Sequence, residues 1–440
     1  MRKPAEDLRI FVERRRRVSS EISGGALIVA SHPEFIRNGS VGFPYRQDSN
    51  LYYLTGFEEP EAILILRPGC DPEAALFVRK KDKERETWDG FRFGPEGVEK
   101  EFGIKAWPIE EFSSVAPDLL KDVDAIWYRI NKNKWSDQLV IPALEEARLK
   151  HGRTGYGLPP IHDADTLLGE LRVIKSPDEI DKLKKAAEIG ARAHLAAMRF
   201  TRPGVTERQI QAVLYHHFLM AGAAREGYNF IVAAGNSATT LHYNFNDQLC
   251  RDGDLVLIDA GAEYLYYTSD ITRTFPINGK FTEPQRRVYD GVLHIQKEII
   301  AFIKPGVTFK ELHDKASSML TDLMLDLGLL SGRKEDIISS GQHRKYYPHG
   351  VGHWLGMDVH DAGMYYDRKK REPRPLVPDM VFTVEPGLYI PAEDTSAPRE
   401  LRGIGVRIED NVAVSTNGCE VLTALAPKEV DELESIIGKA

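Results

Sequence analysis

The sequence predicts a mixed α/β protein of two domains. Short apolar segments of strand length alternate with longer amphipathic segments of helix length along the chain. At 440 residues the chain is longer than one ordinary hydrophobic core encloses, and a helix-start signal lies close to residue 173. We therefore expect an N-terminal mixed α/β domain over residues 1–172 and a second α/β domain over 173–440, built from two similar halves.

The composition excludes several classes of protein. Hydrophobic residues make up 42% and charged residues 28%, which is typical of a globular protein rather than a disordered one. The net charge of −8, with basic residues spread along the chain, argues against nucleic acid as a partner. No apolar run reaches the roughly 18 residues that span a bilayer, and the N-terminus lacks the apolar core of a signal peptide. We expect no membrane association and a cytoplasmic location.

The cysteines and the first helix carry no predicted chemistry. Three widely spaced cysteines argue against a disulfide framework and against a cysteine-based zinc site. A helix with Leu8, Phe11 and Val12 on its apolar side is predicted at the start of the chain. The basic run 14–17 in this helix is expected to be a solvated face.

The rest of the first domain shows strands separated by charged loops. Strands are predicted at 26–30, 51–55, 62–66 and 75–78, and a helical segment at 144–149. Trp88 falls in a charged loop, where an exposed aromatic side chain is either the lip of a site or a local packing anchor.

The second domain is predicted to begin with a long helix. Ser176 is followed by Pro177 and, three residues after the serine, by Glu179, which together form a helix-start signature. The amphipathic pattern then continues to about Phe200. Thr206 and Gln209 have the spacing of a second capping box before the next helix.

A five-residue pattern occurs twice in the second domain. Arg-Pro-Gly-Val-Thr at 202–206 recurs as Lys-Pro-Gly-Val-Thr at 304–308, about 102 residues later. The pattern alone is equally compatible with a common helix-start turn, but an apolar strand that ends in an acid follows each copy, at Asp259 and at Glu385. This favours an internal duplication, although two copies are too few for a solenoid. We expect two half-domains folded face to face, with carboxylates from both halves between them.

Two segments place acids at the ends of these strands. The apolar run 255–258 ends in Asp259, and the segment that follows alternates so that Asp270, Thr272 and Thr274 share one face. The apolar run 380–384 ends in Glu385 in the same way. Buried carboxylates this close together require a cation or a proton between them.

An acid and a cation alternate in the last of these segments. Arg407 and Glu409 share one face of the strand predicted at 406–410. An acid beside a cation on one face is typical of a paired carboxylate or of a metal ligand with a supporting partner.

Three histidines are crowded into the stretch HGVGHWLGMDVHD. His349 and His353 are four residues apart, but the interspersed glycines exclude a regular helix, and no glutamate separates the histidines as in a zinc-protease helix. With His360, they form a cluster that favours metal ligation or acid/base chemistry over a purely structural role.

These residues together predict a dinuclear metal site. Four carboxylates and one imidazole carry a formal charge of −4, which two divalent cations neutralise. Oxygen-rich ligation with one nitrogen suits Mn²⁺, with Co²⁺, Fe²⁺ and Zn²⁺ as competitors. Two such ions activate water and stabilise charge on an attacked carbonyl, so the chemistry indicated is hydrolysis. The predicted ligands are Asp259, Asp270, His353, Glu385 and Glu409.

At these residues the sequence resembles the metal-dependent aminopeptidases and prolidases of the pita-bread fold, and most closely the aminopeptidase P family. The motifs that carry the resemblance are IDAG, SDITRTF, HGVGHWLGMDVHD, VEPGLYI and GVRIED. FPYRQDSNLYYLTGFEEPEAILIL looks like the amino-terminal domain of that family, and LHYNFND looks like its substrate-side histidine segment.

The resemblance implies a role for each site residue. Asp270 and Glu409 would bridge two metal ions, Asp259 would complete one site, and His353 with Glu385 the other. A metal-bridging hydroxide would be the nucleophile that attacks the scissile carbonyl, with Glu385 as proton shuttle.

The resemblance also implies a set of residues on the substrate side. His242, His349 and His360 would bind the scissile region and stabilise the tetrahedral intermediate. Arg407 would support Glu409 and the proline pocket, and Tyr389 and Trp88 would be walls.

By this resemblance the expected activity is release of the N-terminal residue from peptides with proline at the second position. A prolidase, which cleaves Xaa-Pro dipeptides, is the close alternative. A creatinase-like amidinohydrolase, which needs no metal, and a non-catalytic peptide-binding module fit the complete ligand set less well. The family also implies a homo-oligomer, a dimer or tetramer, through the first domain.

Overall fold

The computed structural model describes residues 6–150, 157–367 and 369–439. The chain forms two compact units, Met1–Leu171 and Arg172–Ala440. The boundary lies one residue before the one expected from the sequence. The predicted mixed α/β class is confirmed, since both units combine helices with β-sheets.

The N-terminal unit has seven helices and eight strands within its described residues. In chain order they are α1 (Leu8–Glu21), β1 (Ala26–Ala30), β2 (Ile36–Asn38), β3 (Val41–Gly42), α2 (Ser49–Thr55), β4 (Ile63–Leu66), β5 (Ala74–Val78), α3 (Lys83–Asp89), α4 (Gly94–Phe102), β6 (Lys105–Pro108), α5 (Phe112–Leu120), β7 (Ile126–Trp127), α6 (Lys134–Lys150), β8 (Ile161–His162) and α7 (Ala164–Val173), which runs across the boundary.

Six of these strands form one mixed sheet in the order β6-β5-β4-β1-β7-β8. The central strands β5, β4 and β1 are antiparallel, whereas β6, β7 and β8 join in parallel. Apolar residues of β1, β4 and β5 pack with α5 and α6 in one core. Consecutive residues of these strands are buried, and strands buried on both faces have near-continuous apolar sequences, which is why the sequence signal for them is strong.

The strand predicted at 51–55 is wrong, because these residues lie in α2. The Asp48 carboxylate accepts the backbone N–H of Asn50 at 2.9 Å and of Leu51 at 3.0 Å, which caps the helix, and Gly56 ends it with φ of 67°. Every residue of this seven-residue helix is buried. Its apolar residues therefore show no helical periodicity, and a short apolar run without periodicity resembles a strand.

Of the basic run 14–17, only Arg16 is exposed as the sequence predicts, and the other three arginines pack against the fold. Arg14 is buried and its guanidinium lies 4.2 Å from the centre of the Tyr53 ring. Arg15 donates to the Leu54 carbonyl at 2.7 Å, and Arg17 donates to the Leu171 carbonyl at 3.0 Å. These guanidinium groups satisfy carbonyl groups near helix C-termini, where cations are favoured.

Replacing Asp48 with Asn is expected to lower the free energy of unfolding by about 1–3 kcal/mol at pH 7. Asp48 is buried, and Lys132 at 3.0 Å and His32 at 3.3 Å help to hold the pKa of its carboxyl below the usual value despite burial, which raises it. Because the pKa is lower in the folded chain, the charge stabilises the fold above the unfolded pKa, about 3.9. This contribution declines as pH falls below that value and is lost as pH falls through the lower pKa of the folded chain.

Urea unfolding at several pH values measures the effect. The difference between wild type and Asp48→Asn should shrink below about pH 4. Asp82→Asn is the matched control, because Asp82 caps α3 with the same two kinds of backbone bond but is exposed. A pH-independent difference, or an equal loss in the control, would contradict the role given to the buried charge.

The C-terminal unit has six further helices and thirteen strands in its described residues. They are α8 (Pro177–Phe200), α9 (Glu207–Met220), β9 (Arg225–Glu226), β10 (Ile231–Ala234), β11 (Leu255–Asp259), β12 (Ala262–Tyr264), β13 (Tyr267–Thr268), β14 (Thr272–Pro276), α10 (Glu283–Phe302), α11 (Phe309–Asp326), α12 (Lys334–Ser340), β15 (Tyr366–Asp367), β16 (Glu372–Pro373), β17 (Val381–Val384), β18 (Gly387–Ile390), β19 (Ile404–Arg407), β20 (Asp410–Val414), β21 (Cys419–Val421) and α13 (Val430–Ile436).

The repeated helix start is present in both halves of this unit. The Thr206 hydroxyl accepts the Gln209 N–H at 3.3 Å, and the Thr308 hydroxyl accepts the Glu311 N–H at 3.2 Å. In turn, the side chain of Gln209 accepts the backbone N–H of Thr206 at 2.9 Å, and the side chain of Glu311 accepts that of Thr308 at 2.8 Å. The glycine two residues before each cap has φ of 91° or 94°, a conformation that favours glycine.

Each pair of helices is followed by a three-stranded sheet. The first has the order β10-β11-β14 and the second β17-β20-β21. Helices and sheets of both halves share one apolar core. The order of elements therefore repeats as the sequence pattern suggests, and the acids at the strand ends come from both copies.

Two further predictions concern the whole chain. Within the described residues, each helix is too short or too polar to cross a bilayer. All three cysteines are free thiols: Cys70 is exposed, Cys250 is buried and Cys419 is intermediate.

Candidate metal centre

Strand register brings four carboxylates to one place. In the first half, β11 pairs with β14 so that Asp259 lies opposite Thr272, and Asp270 precedes β14 by two residues. In the second half, β17 pairs with β20 so that Val384 lies opposite Asp410. Glu385 directly follows Val384, and Glu409 directly precedes Asp410. The Glu409 N–H donates to the Thr272 carbonyl at 3.1 Å and thereby joins the two sheets.

These acids line a cavity of about 540 Å³ in the C-terminal unit. Asp259, Asp270 and Glu409 are 8%, 4% and 2% exposed, respectively. The predicted site residues that line the cavity are Asp259, Asp270, His353, Glu385, Glu409, His242, His349, His360 and Arg407. Tyr389 lies directly behind this lining, in contact with His349 and Arg407. Trp88 is not among the lining residues: it lies on α3 of the N-terminal unit and is 82% exposed.

The donor atoms of the ligand candidates are close enough to share an ion. One donor atom each of Asp270, His353 and Glu409 lies within 4.8 Å of the others. His353 Nε2 lies 3.4 Å from Asp270 Oδ2 and 3.4 Å from Glu385 Oε1. His353 Nδ1 lies 3.1 Å from the Trp354 carbonyl, to which its N–H donates, so the Nε2 atom is left for the site.

Tyr228 joins the two aspartates of the first half. Its hydroxyl lies 2.6 Å from Asp259 Oδ1 and 2.6 Å from Asp270 Oδ1. It can donate its proton to only one oxygen at a time, so the second short contact requires a proton or a cation at the carboxylates. Burial, followed by the charges of the two aspartates, raises the pKa of Tyr228 well above its usual value.

The pKa values of three carboxyl groups in the site are raised, because too few positive charges lie near them to offset burial and their mutual repulsion. Burial raises the pKa of Glu385 to about 7, and burial with the charges of Asp270, Glu385 and Asp259 raises that of Glu409 well above its usual value. The pKa of Asp259 is also raised, mainly by burial.

Asp270 and His353 form the exception. Burial would raise the pKa of Asp270 and lower that of His353, but the bond between them reverses both shifts, so that the pKa of Asp270 is lowered and that of His353 rises to about 9. Four carboxyl groups surround this single imidazole, so acidic groups are in excess in the cage, which attracts a cation.

A divalent cation fits these residues. Glu409 Oε1 is buried and has no hydrogen-bond partner among the described residues, which is costly unless a ligand takes that position. Carboxylate oxygens with one imidazole nitrogen form a donor set for hard and intermediate divalent ions.

Further residues that the sequence analysis missed orient the ligands. The Thr272 hydroxyl donates to Glu409 Oε2 at 2.6 Å. The Asn411 side chain accepts the Asp270 N–H at 2.9 Å and donates to the Asp270 carbonyl at 2.5 Å. An asparagine inside an apolar strand, a position where this residue is uncommon, is the signal that could have identified Asn411.

Arg407 reaches its predicted partner Glu409 only through a hydroxyl group. Arg407 Nη2 donates to Asp259 Oδ2 at 2.6 Å, and Arg407 Nε donates to the Thr272 hydroxyl at 3.1 Å. The same hydroxyl donates to Glu409 Oε2 at 2.6 Å. Arg407 and Glu409 both line the cavity, as the alternation predicts, although β19 ends at Arg407 and β20 starts at Asp410.

The histidines on the open side of the cavity are held in different ways. His349 Nδ1 donates to the Gly350 carbonyl at 2.7 Å, so its Nε2 accepts the Tyr389 hydroxyl at 2.8 Å. Burial, with the nearby charge of Arg407, lowers the pKa of His349 to about 3, which keeps the ring neutral. The His360 ring packs edge-on against His353 with centroids 4.4 Å apart. His242 is exposed on the cavity wall.

Comparison with known proteins gives matches over nearly the whole chain. Residues 181–416 match metallopeptidase family M24, and residues 11–127 match the aminopeptidase P N-terminal domain. A Xaa-Pro aminopeptidase of Haemophilus influenzae is 42% identical over 97% of this chain and 96% of the relative.

Two solved structures have the same fold. The Pseudomonas aeruginosa aminopeptidase PepP superimposes with a TM-score of 0.93 at 40% identity, over 98% of both chains. A zinc-substituted Escherichia coli aminopeptidase P in complex with product superimposes with a TM-score of 0.92 at 38% identity, also over 98% of both chains.

Proposed function

This chain belongs to metallopeptidase family M24, and from that premise we propose that it is a Xaa-Pro aminopeptidase, which hydrolyses the first peptide bond of peptides with proline at the second position. The family resemblance predicted from the motifs is confirmed. The observation that carries the proposal is the cage of four carboxylates and one imidazole in a cavity large enough for a peptide end. The prolidase alternative receives no support from the relatives.

The proposed ligand set assigns two divalent ions to this cage. Asp259, Asp270, His353, Glu385 and Glu409 would hold them, with Asp270 and Glu409 shared. When bound, such ions polarise the scissile carbonyl and make water a nucleophile at neutral pH. We propose Mn²⁺ as the ion, because oxygen donors outnumber nitrogen donors four to one.

The side chains around the cage supply the proton chemistry. Glu385, which faces the cavity beside His353, is placed to accept a proton from water and to pass it to the leaving nitrogen. Burial raises its pKa in the metal-free chain, and cations in the cage will shift that pKa downward because they favour the charged carboxylate. Glu385 faces the cavity and is bonded to the Thr383 hydroxyl at 3.3 Å.

The substrate-side residues are proposed from their positions. His349 and Tyr389 form one bonded pair, and Arg407 donates to the Tyr389 hydroxyl at 3.1 Å, so the three form a rigid wall for the proline ring. His242 and His360 are placed to bind the scissile region and the intermediate. Trp88 as a wall remains a prediction, which the kinetics of Trp88→Ala would test.

Hydrolysis assays on metal-loaded protein test the proposed function. Release of free Xaa from Xaa-Pro-Yaa peptides, with Xaa-Ala-Yaa peptides as controls, is the expected result. Elemental analysis of the same sample should give two metal ions per chain, and reconstitution with Mn²⁺ should give the highest rate. Preferential cleavage of Xaa-Pro dipeptides would establish a prolidase instead, and activity of metal-free protein would contradict the metal chemistry.

We also propose that the chain forms a homo-oligomer, a dimer or a tetramer, through its N-terminal unit. The β2–β3 hairpin carries Phe35, Ile36, Val41 and Phe43, whose exposed fractions lie between 54% and 62%. The Phe43 N–H donates to the Phe35 carbonyl at 2.8 Å, so the apolar side chains stand on an ordered ribbon. A cluster of exposed apolar side chains of this size is typical of a protein interface.

Replacing Phe35 and Phe43 together with Ser is expected to lower the mass of the particle, because it removes apolar surface from the hairpin. Light scattering after gel filtration measures the mass. Tyr366→Ser is the matched control, since this aromatic is 53% exposed on the C-terminal unit. An unchanged mass in the double variant would contradict an interface at the hairpin.

A cytoplasmic location is proposed as well. Its support is the presence of three free thiols, which is typical of a reducing compartment. Cell fractionation tests it. The absence of nucleic acid as a partner stays a prediction from the net charge of −8.

A further inference from the structure

The loop that follows His353 is tied to the start of the C-terminal unit by buried charges. Arg172 Nη2 lies 2.8 Å from Asp358 Oδ2 and 2.5 Å from Asp361 Oδ1, and Lys175 Nζ lies 3.0 Å from Asp361 Oδ2. The side chains of Arg172, Lys175 and Asp361 are at most 3% exposed. None of the four is a proposed metal ligand, and none lines the cavity.

Asp361 fixes the backbone of this loop. Its N–H donates to the Trp354 carbonyl at 2.9 Å, which closes the loop on itself. The loop lies against two strands, because the Leu355 N–H donates to the Val381 carbonyl at 3.0 Å and the Thr268 N–H donates to the Gly356 carbonyl at 3.0 Å. A Cβ atom on Gly356 would lie 2.2 Å from Asp361 Oδ2, so the carboxylate fits against bare backbone.

The cations are anchored in turn. Lys175 lies between α7 and α8, and its N–H donates to the Asp379 carbonyl at 2.9 Å. The neighbouring Ile174 pairs with Met380, directly before β17, the strand that leads to Glu385. The two cations are therefore held in a fixed position relative to the strand that carries a proposed ligand.

His360 depends on this arrangement because its own side chain makes no hydrogen bond to any residue that the structure describes. It touches His353 through ring packing alone. Its direction into the cavity is thus set by the backbone next to Asp361 and by the contact with the His353 ring, and not by a hydrogen bond of the imidazole.

We propose that Arg172, Lys175 and Asp361 are positioning residues that hold His360 over the metal centre. This inference rests on the proposed peptidase function. Buried ion pairs add little net stability compared with apolar side chains of the same size, so a role in fixing one conformation explains their presence. The residues act through His360 and make no contact with the substrate.

A double-mutant cycle with His360 tests the proposal on the full-length, metal-loaded protein. Asp361→Asn is expected to lower kcat roughly 10- to 100-fold, within the range of a misplaced acid/base group, with a change in KM below about threefold. In a His360→Ala background the same substitution should lower kcat less than about twofold, because the group that it positions is gone. Additive losses would overturn the proposal.

Two variants of Lys175 keep the test valid if Asp361→Asn fails to fold. Lys175→Met should reproduce the loss of kcat, and Lys175→Arg, which retains the charge, should recover most of it. Glu434→Gln is the matched control, because it breaks the Lys280–Glu434 ion pair in the same unit. Its rate should equal that of the wild type, and equal losses in Lys175→Met and Lys175→Arg would contradict the proposal.

Two readouts separate this proposal from the proposed function. Metal content measured by elemental analysis should be unchanged in Asp361→Asn, and a loss of metal would overturn the proposal. Hydrogen exchange at residues 355–361 should be at least about tenfold faster in Asp361→Asn and unchanged in α10. If the wild type does not cleave Xaa-Pro peptides, the peptidase function fails, while the exchange data still decide whether Asp361 holds the loop.

Discussion

Asp270→Asn is expected to reduce peptide hydrolysis by at least about 1,000-fold while the chain still folds. The amide has the shape of the carboxylate but neither its charge nor its second anionic oxygen, so it cannot be shared between two cations. The fold tolerates the change because the Asp270 backbone is held on both sides by Asn411. Tyr228 can still donate to the remaining carbonyl oxygen.

Hydrolysis rate, metal content and thermal unfolding should be measured on the same preparation of this variant. The expected pattern is lost activity, fewer than two metal ions per chain and a melting temperature of the metal-free form close to that of the wild type. Asp252→Asn, at an exposed position in the same unit, is the control and should remain active. An unaffected rate for Asp270→Asn would show that the shared-ligand role is wrong.

Arg273→Met is expected to lower the free energy of unfolding by about 3–5 kcal/mol, the cost of breaking a buried ion pair together with the hydrogen bonds of its guanidinium. Arg273 and Asp410 are both fully buried, with Arg273 Nη2 2.7 Å from Asp410 Oδ1. The same guanidinium donates to the Glu409 carbonyl at 2.6 Å and to the Thr272 carbonyl at 2.9 Å. Its loss removes this donor from the Glu409 carbonyl, whereas the Thr272 carbonyl keeps the Glu409 N–H at 3.1 Å.

Denaturant unfolding of the metal-free protein measures this loss without interference from bound metal. Arg286→Met is the matched control: Arg286 is half-exposed on α10 and pairs with Asp290, so its change should stay below about 1 kcal/mol. A comparable loss of unfolding free energy in both variants would show that the buried Arg273–Asp410 pair stabilises the fold no more than an exposed ion pair. Lys428, 2.6 Å from Asp410, limits the damage because it still compensates the carboxylate.

The position of the four acids in one cavity could be predicted from the sequence because Asp259 and Glu385 each end a run of buried residues. Asp270 and Glu409 lie two short strands further along the chain, directly before the partner strands β14 and β20. A strand that ends in an acid is a local signal, and two copies of it made a shared site the simplest explanation.

The supporting contacts could not be predicted because they join distant parts of the chain. Arg407 and Asp259 are 148 residues apart, and Asn411 and Asp270 are 141 residues apart. Periodicity identifies which face a side chain occupies but not which strand lies opposite. Alternation placed Arg407 and Glu409 on one face, but their link through the Thr272 hydroxyl, 135 and 137 residues away, could not be seen in it.

The two errors in the N-terminal unit have a common physical cause. A helix buried on all sides, such as α2, has no polar face and therefore no helical period. A basic run predicts solvent exposure, yet Arg14 and Arg15 bind to groups of α2 and the residues around its end. In both cases tertiary packing outweighs the local pattern.

The bond between the Thr272 hydroxyl and Glu409 spans 137 residues of chain, and this separation has a consequence for synthesis. At about 5–20 residues per second, a ribosome needs roughly 7–27 seconds to proceed from the first of these residues to the second. During that interval the nascent chain exposes two aspartates that lack the opposing glutamates. Complete metal capture therefore has to wait until the last sheet has emerged, which makes loading one of the final events in the maturation of this protein.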